Sequence, residues 1–148
     1  DPVYDENSRI LILGSFPSVK SREQKFFYGH KQNRFWKVME ALFQEEIHDK
    51  KQFCLDHHIA LWDVIYSCTI EGSSDSSIQN VQVNDISTLC QKSNIQAIFL
   101  TGKKAFQLYG KYIHLDIEHI YLPSTSSANA RMHLEQLVES HKVILEKL

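Results

Sequence analysis

The apolar run Ile10-Leu11-Ile12-Leu13 leads directly into Gly14-Ser15-Phe16-Pro17-Ser18, and this stretch decides the fold. Four consecutive apolar residues predict a strand that is covered on both faces, as in a parallel sheet. The glycine allows a ligand to approach the backbone closely, and the proline makes the turn after the strand rigid. No Gly-Lys-Ser/Thr follows at the spacing of a P-loop, and Gly-x-Ser-x-Gly is absent. The stretch therefore predicts a buried strand that ends in a binding corner of another kind.

Three further strands are predicted along the chain, over Ala60 to Ile65, Ala97 to Leu100 and Ile117 to Leu122. Helical patterns separate them, and strands that alternate with helices predict a mainly parallel sheet. The fold class is therefore α/β, a three-layer α/β/α sandwich. Because the chain has no repeat, linker or low-complexity tract, residues 1–148 are predicted to form a single domain.

The helices are predicted from their apolar stripes and their capping residues. Asn33 is expected to cap a helix over residues 35–43, and Asn84 to cap one over residues 85–92. Two further helices are predicted over residues 50–57 and from residue 103 to about Tyr109, and residues 72–77 are predicted to form a loop. The C-terminal segment is predicted to be one long helix with a single apolar stripe, made of Leu134, Leu137, Val138, His141, Leu145 and Leu148.

In parallel sheets ligands bind at the carboxyl ends of the strands. This rule brings the Gly14–Ser18 corner, the Thr101-Gly102 turn and the Pro123–Ala128 loop to one rim. Residues 20–37 next to it contain six Lys or Arg against one Glu, interleaved with aromatic residues. Cations suit phosphates and aromatic faces suit bases, which favours a nucleic-acid surface over the alternative of a solvated basic loop.

Composition further limits the class of protein and the cofactors it could use. The net charge of −2 gives no global nucleic-acid signal, and no run of 18 apolar residues predicts a membrane span. Three widely spaced cysteines predict reduced thiols and are one short of a four-thiolate metal site. We therefore expect neither a metal nor a cofactor. Asp63 and Asp75 are candidates for a polar network or for positioning water, with a structural role preferred.

The run from Tyr28 to Trp36 reads Tyr-Gly-His-Lys-Gln-Asn-Arg-Phe-Trp. Together with the strand and its glycine-proline corner, it closely resembles the uracil-DNA glycosylase superfamily, whose mismatch-specific branch shares Asn-Arg-Phe-Trp. Gly-Ser-Phe-Pro-Ser, taken with Leu122-Pro-Ser-Thr-Ser-Ser-Ala-Asn129, is most similar to the hypoxanthine (deoxyinosine) DNA glycosylase branch. The resemblance spans nearly the whole chain.

The resemblance implies a role for each motif. Tyr28 matches the aromatic that stacks on an extruded base, and the amides of Ser15 and Phe16 are expected to hold that base. Asn33 and His30 are the candidate catalytic residues. The alternative for Tyr28 is a tyrosine of the core. The alternative for Asn33 is a helix cap only, and that for His30 is a histidine of a surface loop.

The DNA contacts are expected at both proline-marked corners and at the basic segment. The predicted DNA-binding residues are Pro17, Ser18, Lys20, Lys31, Arg34, Ser124 and Ser126. Two positions depart from the superfamily pattern: Phe16 stands where many relatives have Asp or Asn, and Leu122 where others have His or Asn. Because neither can activate water or stabilise a leaving base, those tasks fall to other groups.

The resemblance implies a monofunctional DNA glycosylase that hydrolyses the N-glycosidic bond of a flipped, deaminated base. Hypoxanthine is the leading substrate and uracil the second. The expected partner is DNA that contains deaminated bases, with the protein acting as a monomer in the cytoplasm, nucleoid-associated in a prokaryote. Two alternatives stay open: a non-catalytic nucleic-acid-binding module on the same fold, and an α/β enzyme acting on free nucleotides.

Overall fold

The computed structural model describes residues 2–15, 26–29, 32–69 and 79–148. The strands described are β1 Ile10–Gly14, β2 Ile59–Asp63, β3 Ile65–Thr69, β4 Gln79–Val83, β5 Ala97–Thr101 and β6 Glu118–Leu122. The helices described are α1 Phe35–Phe43, α2 Lys50–Asp56, α3 Ile86–Gln91, α4 Lys103–Tyr112, α5 Leu134–His141 and α6 Val143–Lys147.

A parallel sheet with the strand order β2-β1-β5-β6 lies at the centre of the described structure. Side chains alternate across β1, so Ile10 and Ile12 face one apolar cluster while Leu11 and Leu13 face another. The first cluster includes residues of α1, α2, α5 and α6, and the second those of α3 and α4. The predicted three-layer α/β/α architecture is confirmed.

The predicted strand from Ala60 to Ile65 is divided in the structure. β2 ends at Asp63, and Ile65 begins β3, which pairs antiparallel with β4 in a separate two-stranded sheet. The Val64 N–H donates to the Gly14 carbonyl at 2.8 Å, where the chain leaves the central sheet. The apolar residues on either side of Asp63 do not show where the chain changes sheets, so this boundary was predicted wrongly. The predicted loop over residues 72–77 lies outside the described residues.

The cap of α3 was also predicted one residue too early. The Asp85 carboxylate accepts a hydrogen bond from the Thr88 N–H at 3.1 Å and caps the helix. The Asn84 amide instead donates to the carbonyls of Asp63 at 2.8 Å and Ile65 at 3.3 Å. Asn84 thus ties the end of β4 to the point where β2 gives way to β3.

The C-terminal segment forms two helices instead of one, with Lys142 between them. Leu137, His141 and Ile144 are fully buried, whereas Leu134 and Leu145 are 38% and 42% exposed. The buried residues follow an i, i+4, i+7 spacing, so the face that meets the core lies beside the predicted stripe. His141 is accommodated there because its Nδ1–H donates to the Leu137 carbonyl at 2.7 Å. Within the described part of the chain, no helix is long and apolar enough to cross a bilayer.

Substitutions of adjacent residues in α6 test this face. Ile144→Ala should lower the free energy of unfolding by about 2–4 kcal/mol, because it leaves a cavity in the core. Leu145→Ala, the matched control, should lower it by less than about 1 kcal/mol because that side chain is already partly solvated. Urea unfolding of both variants measures the difference, and equal losses would contradict the assignment.

Candidate active site

The carboxyl end of β1 meets three side-chain oxygens at Gly14. A Cβ atom at this position would lie 2.8 Å from Asp63 Oδ1 and 3.8 Å from both Thr101 Oγ1 and the Tyr28 hydroxyl. The register pairs Gly14 with Asp63 across β1 and β2, while Thr101 ends the neighbouring β5. We call this group of Gly14, Tyr28, Asp63 and Thr101 the Gly14 corner. Only glycine leaves room for the Asp63 carboxyl there.

A chain of hydrogen bonds orients the Tyr28 hydroxyl in the Gly14 corner. Thr101 Oγ1 donates to the Leu13 carbonyl at 3.2 Å, so its single proton is used. It must therefore accept the Tyr28 O–H, which lies 3.3 Å away. Burial raises the pKa of Tyr28 above its ordinary value, which keeps the phenol neutral. The Tyr28 proton consequently points to Thr101 and does not neutralise Asp63.

The Tyr28 ring is held by stacking and by an unusual backbone conformation. Its centroid lies 4.0 Å from that of Phe35 with the planes 12° apart, so one face of the ring is covered. Its φ of 54° lies in the left-handed region, which is strained for a tyrosine and is found often at functional sites. A base can stack only on the opposite face of Tyr28, and that contact stays a prediction.

The Asn33 side chain joins two segments that are far apart in the chain. Its Oδ1 accepts the Phe35 N–H at 2.9 Å, but Arg34 and not Asn33 occupies the N-cap position of α1, so the cap was predicted one residue too early. The same atom accepts the Thr125 hydroxyl at 2.7 Å, which connects the start of α1 to the loop after β6. The side-chain amide nitrogen takes part in neither bond, so these contacts do not preclude a catalytic role.

Arg34 organises the loop between β6 and α5. Its guanidinium donates to the carbonyls of Thr125 at 3.4 Å, Ser126 at 3.0 Å and Asn129 at 3.1 Å, and also to that of Met132. Four of the five N–H donors of an arginine are thus used within the protein. The predicted contact of Arg34 with a phosphate stays a prediction, but the observed contacts assign this side chain to shaping the loop.

The two predicted phosphate-binding serines lie in this loop, and both form turns. The Ser124 hydroxyl oxygen accepts the Ser126 N–H at 3.1 Å, and the Ser126 hydroxyl oxygen accepts the Ala128 N–H at 3.2 Å. These two amides are therefore occupied by serine oxygens and are not open to a phosphate. Each serine O–H proton is a donor that these bonds do not use.

Asp63 is the buried carboxyl of the Gly14 corner, with only 9% of the residue exposed. Burial raises its pKa to about 7. Sequence reasoning preferred a structural role for this residue. The signal that could have marked it is that Asp63 is the one charged residue in the predicted strand from Ala60 to Ile65.

The remaining predicted site residues divide into two groups. Ser15 continues the pairing past β1, where its carbonyl accepts the Ile65 N–H at 3.0 Å. Leu122 is 1% exposed within the apolar core, so it offers nothing to a leaving base. The other predictions lie outside the described residues, and they concern Phe16, Pro17, Ser18, Lys20, His30, Lys31 and Asp75.

Metal-ligating side chains and free thiols are two further classes of reactive group. Among the residues that the structure describes, no group of three His, Cys, Asp or Glu side chains is placed to hold a metal ion. Cys54 and Cys90 are free thiols. Burial raises their pKa values to about 12 and about 11, so both stay protonated at neutral pH.

Comparisons with known proteins agree with this geometry. Residues 2–146 match the family model described as the uracil DNA glycosylase superfamily. A hypoxanthine DNA glycosylase of Methanosarcina acetivorans is 38% identical over 135 residues, which cover 87% of this chain and 85% of that protein. A hypoxanthine DNA glycosylase of Methanosarcina barkeri is 32% identical over 136 residues, covering 88% and 86% respectively.

A solved structure is similar as well. The solution NMR structure of a protein from Methanosarcina acetivorans, named for uracil DNA glycosylase, superposes with a TM-score of 0.80 at 32% identity. The match covers 98% of this chain and 96% of that one. Since the family model spans almost the whole sequence and the relatives exceed 30% identity over most of their length, the chain belongs to the uracil DNA glycosylase superfamily.

Proposed function

We propose that this protein is a monofunctional DNA glycosylase that removes a deaminated base from DNA, with hypoxanthine as the leading substrate and uracil as the second. The two curated relatives carry the name hypoxanthine DNA glycosylase, and their matches cover 87% and 88% of this chain. The enzyme hydrolyses the N-glycosidic bond and works as a monomer in the cytoplasm, nucleoid-associated in a prokaryote. Neither a metal nor a cofactor is needed for this reaction.

The observation that carries the proposal is the convergence of four sequence-distant segments at the carboxyl edge of the sheet. Tyr28 contacts Thr101 through its hydroxyl and Phe35 through its ring. Asn33 accepts the Phe35 N–H at the start of α1 and the hydroxyl of Thr125 in the last loop. A flipped base therefore has an aromatic face, an amide and a hydroxyl-rich loop within one region.

Flipping is the step that this arrangement supports. Extruding a nucleotide costs a few kcal/mol and costs least at mismatched or damaged bases, so deaminated bases are the natural targets. Stacking on the face of Tyr28 opposite Phe35 contributes roughly 1–3 kcal/mol to the flipped base. The hydroxyls of Ser124 and Ser126 donate to backbone phosphates, which position the strand without reading its sequence.

Asn33 acts in this proposal through its amide nitrogen. Because Oδ1 is engaged by Phe35 and Thr125, the orientation of the amide is fixed. A fixed N–H donor can bond to the base or orient the attacking water without reorganising during the reaction. The charge that develops on the departing base is then stabilised by this donor together with backbone amides of Ser15 and Phe16.

A panel of base-release assays tests the function. Duplex and single-stranded oligonucleotides that carry deoxyinosine, deoxyuridine or deoxyxanthosine are incubated with the protein, and free bases are quantified by mass spectrometry. We expect hypoxanthine release to be fastest, followed by uracil, with no covalent adduct after borohydride treatment. Release of no base from any oligonucleotide would refute the glycosylase assignment, and a trapped adduct would refute monofunctionality.

The Asn33→Asp variant distinguishes a catalytic role of the Asn33 amide from its hydrogen bonds to Phe35 and Thr125. The carboxylate keeps an acceptor for the Phe35 N–H and the Thr125 hydroxyl but removes the amide N–H donors. We expect hypoxanthine release to fall about 10²–10³-fold, as for loss of one oriented donor, while urea unfolding changes little. Asn33→Ala, which loses both functions, should reduce activity and stability together. Wild-type release by Asn33→Asp would limit Asn33 to its structural role.

Arg34→Lys tests how the loop after β6 contributes to DNA binding. A lysine cannot reproduce four hydrogen bonds from one planar group, so the loop should lose its shape. We expect weaker binding to DNA with an abasic-site analogue, measured by fluorescence anisotropy, and a lower free energy of unfolding. The exposed Arg131, changed to Lys, is the matched control in the same loop. If both variants bind as tightly as the wild type, Arg34 does not shape a DNA-binding loop.

A further inference from the structure

The Asp63 carboxyl is a buried acid at the carboxyl edge of the central sheet. It has no role in the function proposed above. Oδ1 lies so close to Gly14 that a methyl group there would be 2.8 Å away. The nearby Tyr28 proton is directed to Thr101. A buried carboxyl retains its proton more strongly than one in water.

The reaction itself needs a proton donor at this edge. A purine that departs from C1′ takes the electron pair of the glycosidic bond and becomes an anion unless it is protonated. Leu122 ends β6 and is buried in the apolar core, so it offers no proton. Asp63 ends β2 of the same sheet and is an acid.

We propose, building on the glycosylase function above, that Asp63 is the general acid of base release and donates its proton to N7 of a flipped purine. N7 is an exposed acceptor on the ring of every natural purine and of hypoxanthine. The bond between N9 and C1′ breaks with its electron pair going to the base, while a proton moves from the Asp63 carboxyl to N7. Hypoxanthine leaves as a neutral molecule.

The remaining atoms balance without a further reactant. Water forms the new bond between oxygen and C1′ and loses one proton to solvent. The Asp63 carboxylate recovers a proton from solvent before the next turnover. Because uracil has no N7, the step predicts that Asp63 assists purines and contributes little to uracil release. Asp63 thus determines specificity as well as rate.

The groups around Asp63 support a protonated carboxyl near neutral pH. Tyr28, from the segment over residues 26–29, is the titratable side chain of the Gly14 corner, and it stays neutral because burial raises its pKa. β1 and β5 contribute Gly14 and Thr101, which carry no charge. Asn84 bonds to the Asp63 backbone carbonyl and not to the carboxyl. Burial raises the pKa of Asp63 to about 7.

The test is a pH profile of single-turnover hypoxanthine release at saturating enzyme, for the wild type and Asp63→Asn. The wild-type rate constant should fall about tenfold for each pH unit above the pKa of the acid. Asn can donate a hydrogen bond but cannot transfer a proton, so Asp63→Asn should be at least about 10²-fold slower at about pH 6 and lack this falling limb. Asp116→Asn, at an exposed acid, is the matched control and should keep the wild-type profile.

Unfolding provides a readout that does not depend on catalysis. Since the folded pKa of Asp63 is raised from 3.8 to about 7, its stabilising proton is retained at low pH and lost as pH rises through 7. From about pH 5 to about pH 8 the wild type should therefore lose urea resistance relative to Asp63→Asn. Equal pH dependence of unfolding in the two proteins would show that Asp63 is not a buried neutral acid and would overturn the proposal.

The outcomes also separate this proposal from the proposed function. An active wild type whose release rate shows no falling limb, or an Asp63→Asn variant with the wild-type rate and profile, would refute the acid role and leave the glycosylase function intact. Uracil release slowed as much as hypoxanthine release would equally refute donation to N7. A wild type that releases no base at all would refute the function, and the acid step with it. If Asp63→Asn fails to fold, the pH profile of the wild type still tests the acid role of Asp63.

Discussion

Gly14 has no side chain, and the close approach of Asp63 to it is the constraint on which the functional edge of the sheet depends. The parallel register sets Gly14 opposite Asp63, and the Asp63 carboxyl occupies the space that any Cβ would fill. Thr101 and Tyr28 reach the same point from β5 and from the segment before α1. A glycine at the end of one strand thereby allows three other segments to bring oxygen atoms together.

The same edge is closed on its other side by hydrogen bonds from consecutive residues at the start of α1. Asn33 holds the Thr125 hydroxyl, and Arg34 holds four carbonyls of the loop that follows β6. A loop with many turns has few apolar contacts to fix its shape, so side-chain donors from a packed helix perform that task. Helix position and loop shape are therefore coupled, and a change at Arg34 acts on DNA through the loop.

Phe16 and Leu122 raised the question of how the chemistry proceeds without the usual polar side chains. Leu122 contributes to the core, and its own carbonyl accepts the Gly102 N–H at 2.8 Å, which joins β6 to the turn after β5. The chemical groups are provided elsewhere, by Asn33 and, in our proposal, by Asp63. Burying an acid that loses its proton near neutral pH opposes stability, which is typical of residues retained for function.

The sequence by itself determined the layers, the parallel sheet and the motifs of the rim, because apolar runs, alternation and turn residues act over a few neighbours. It also indicated the family through three motifs in order. It did not show that β2 and β3 belong to different sheets, that Ile144 faces the core while Leu134 and Leu145 do not, or that Arg34 bonds to carbonyls more than ninety residues away. Only the tertiary structure decided these three features. It also decided the raised pKa of Asp63. Burial, sheet membership and long-range hydrogen bonds depend on which distant segments meet, and local patterns carry no information about that.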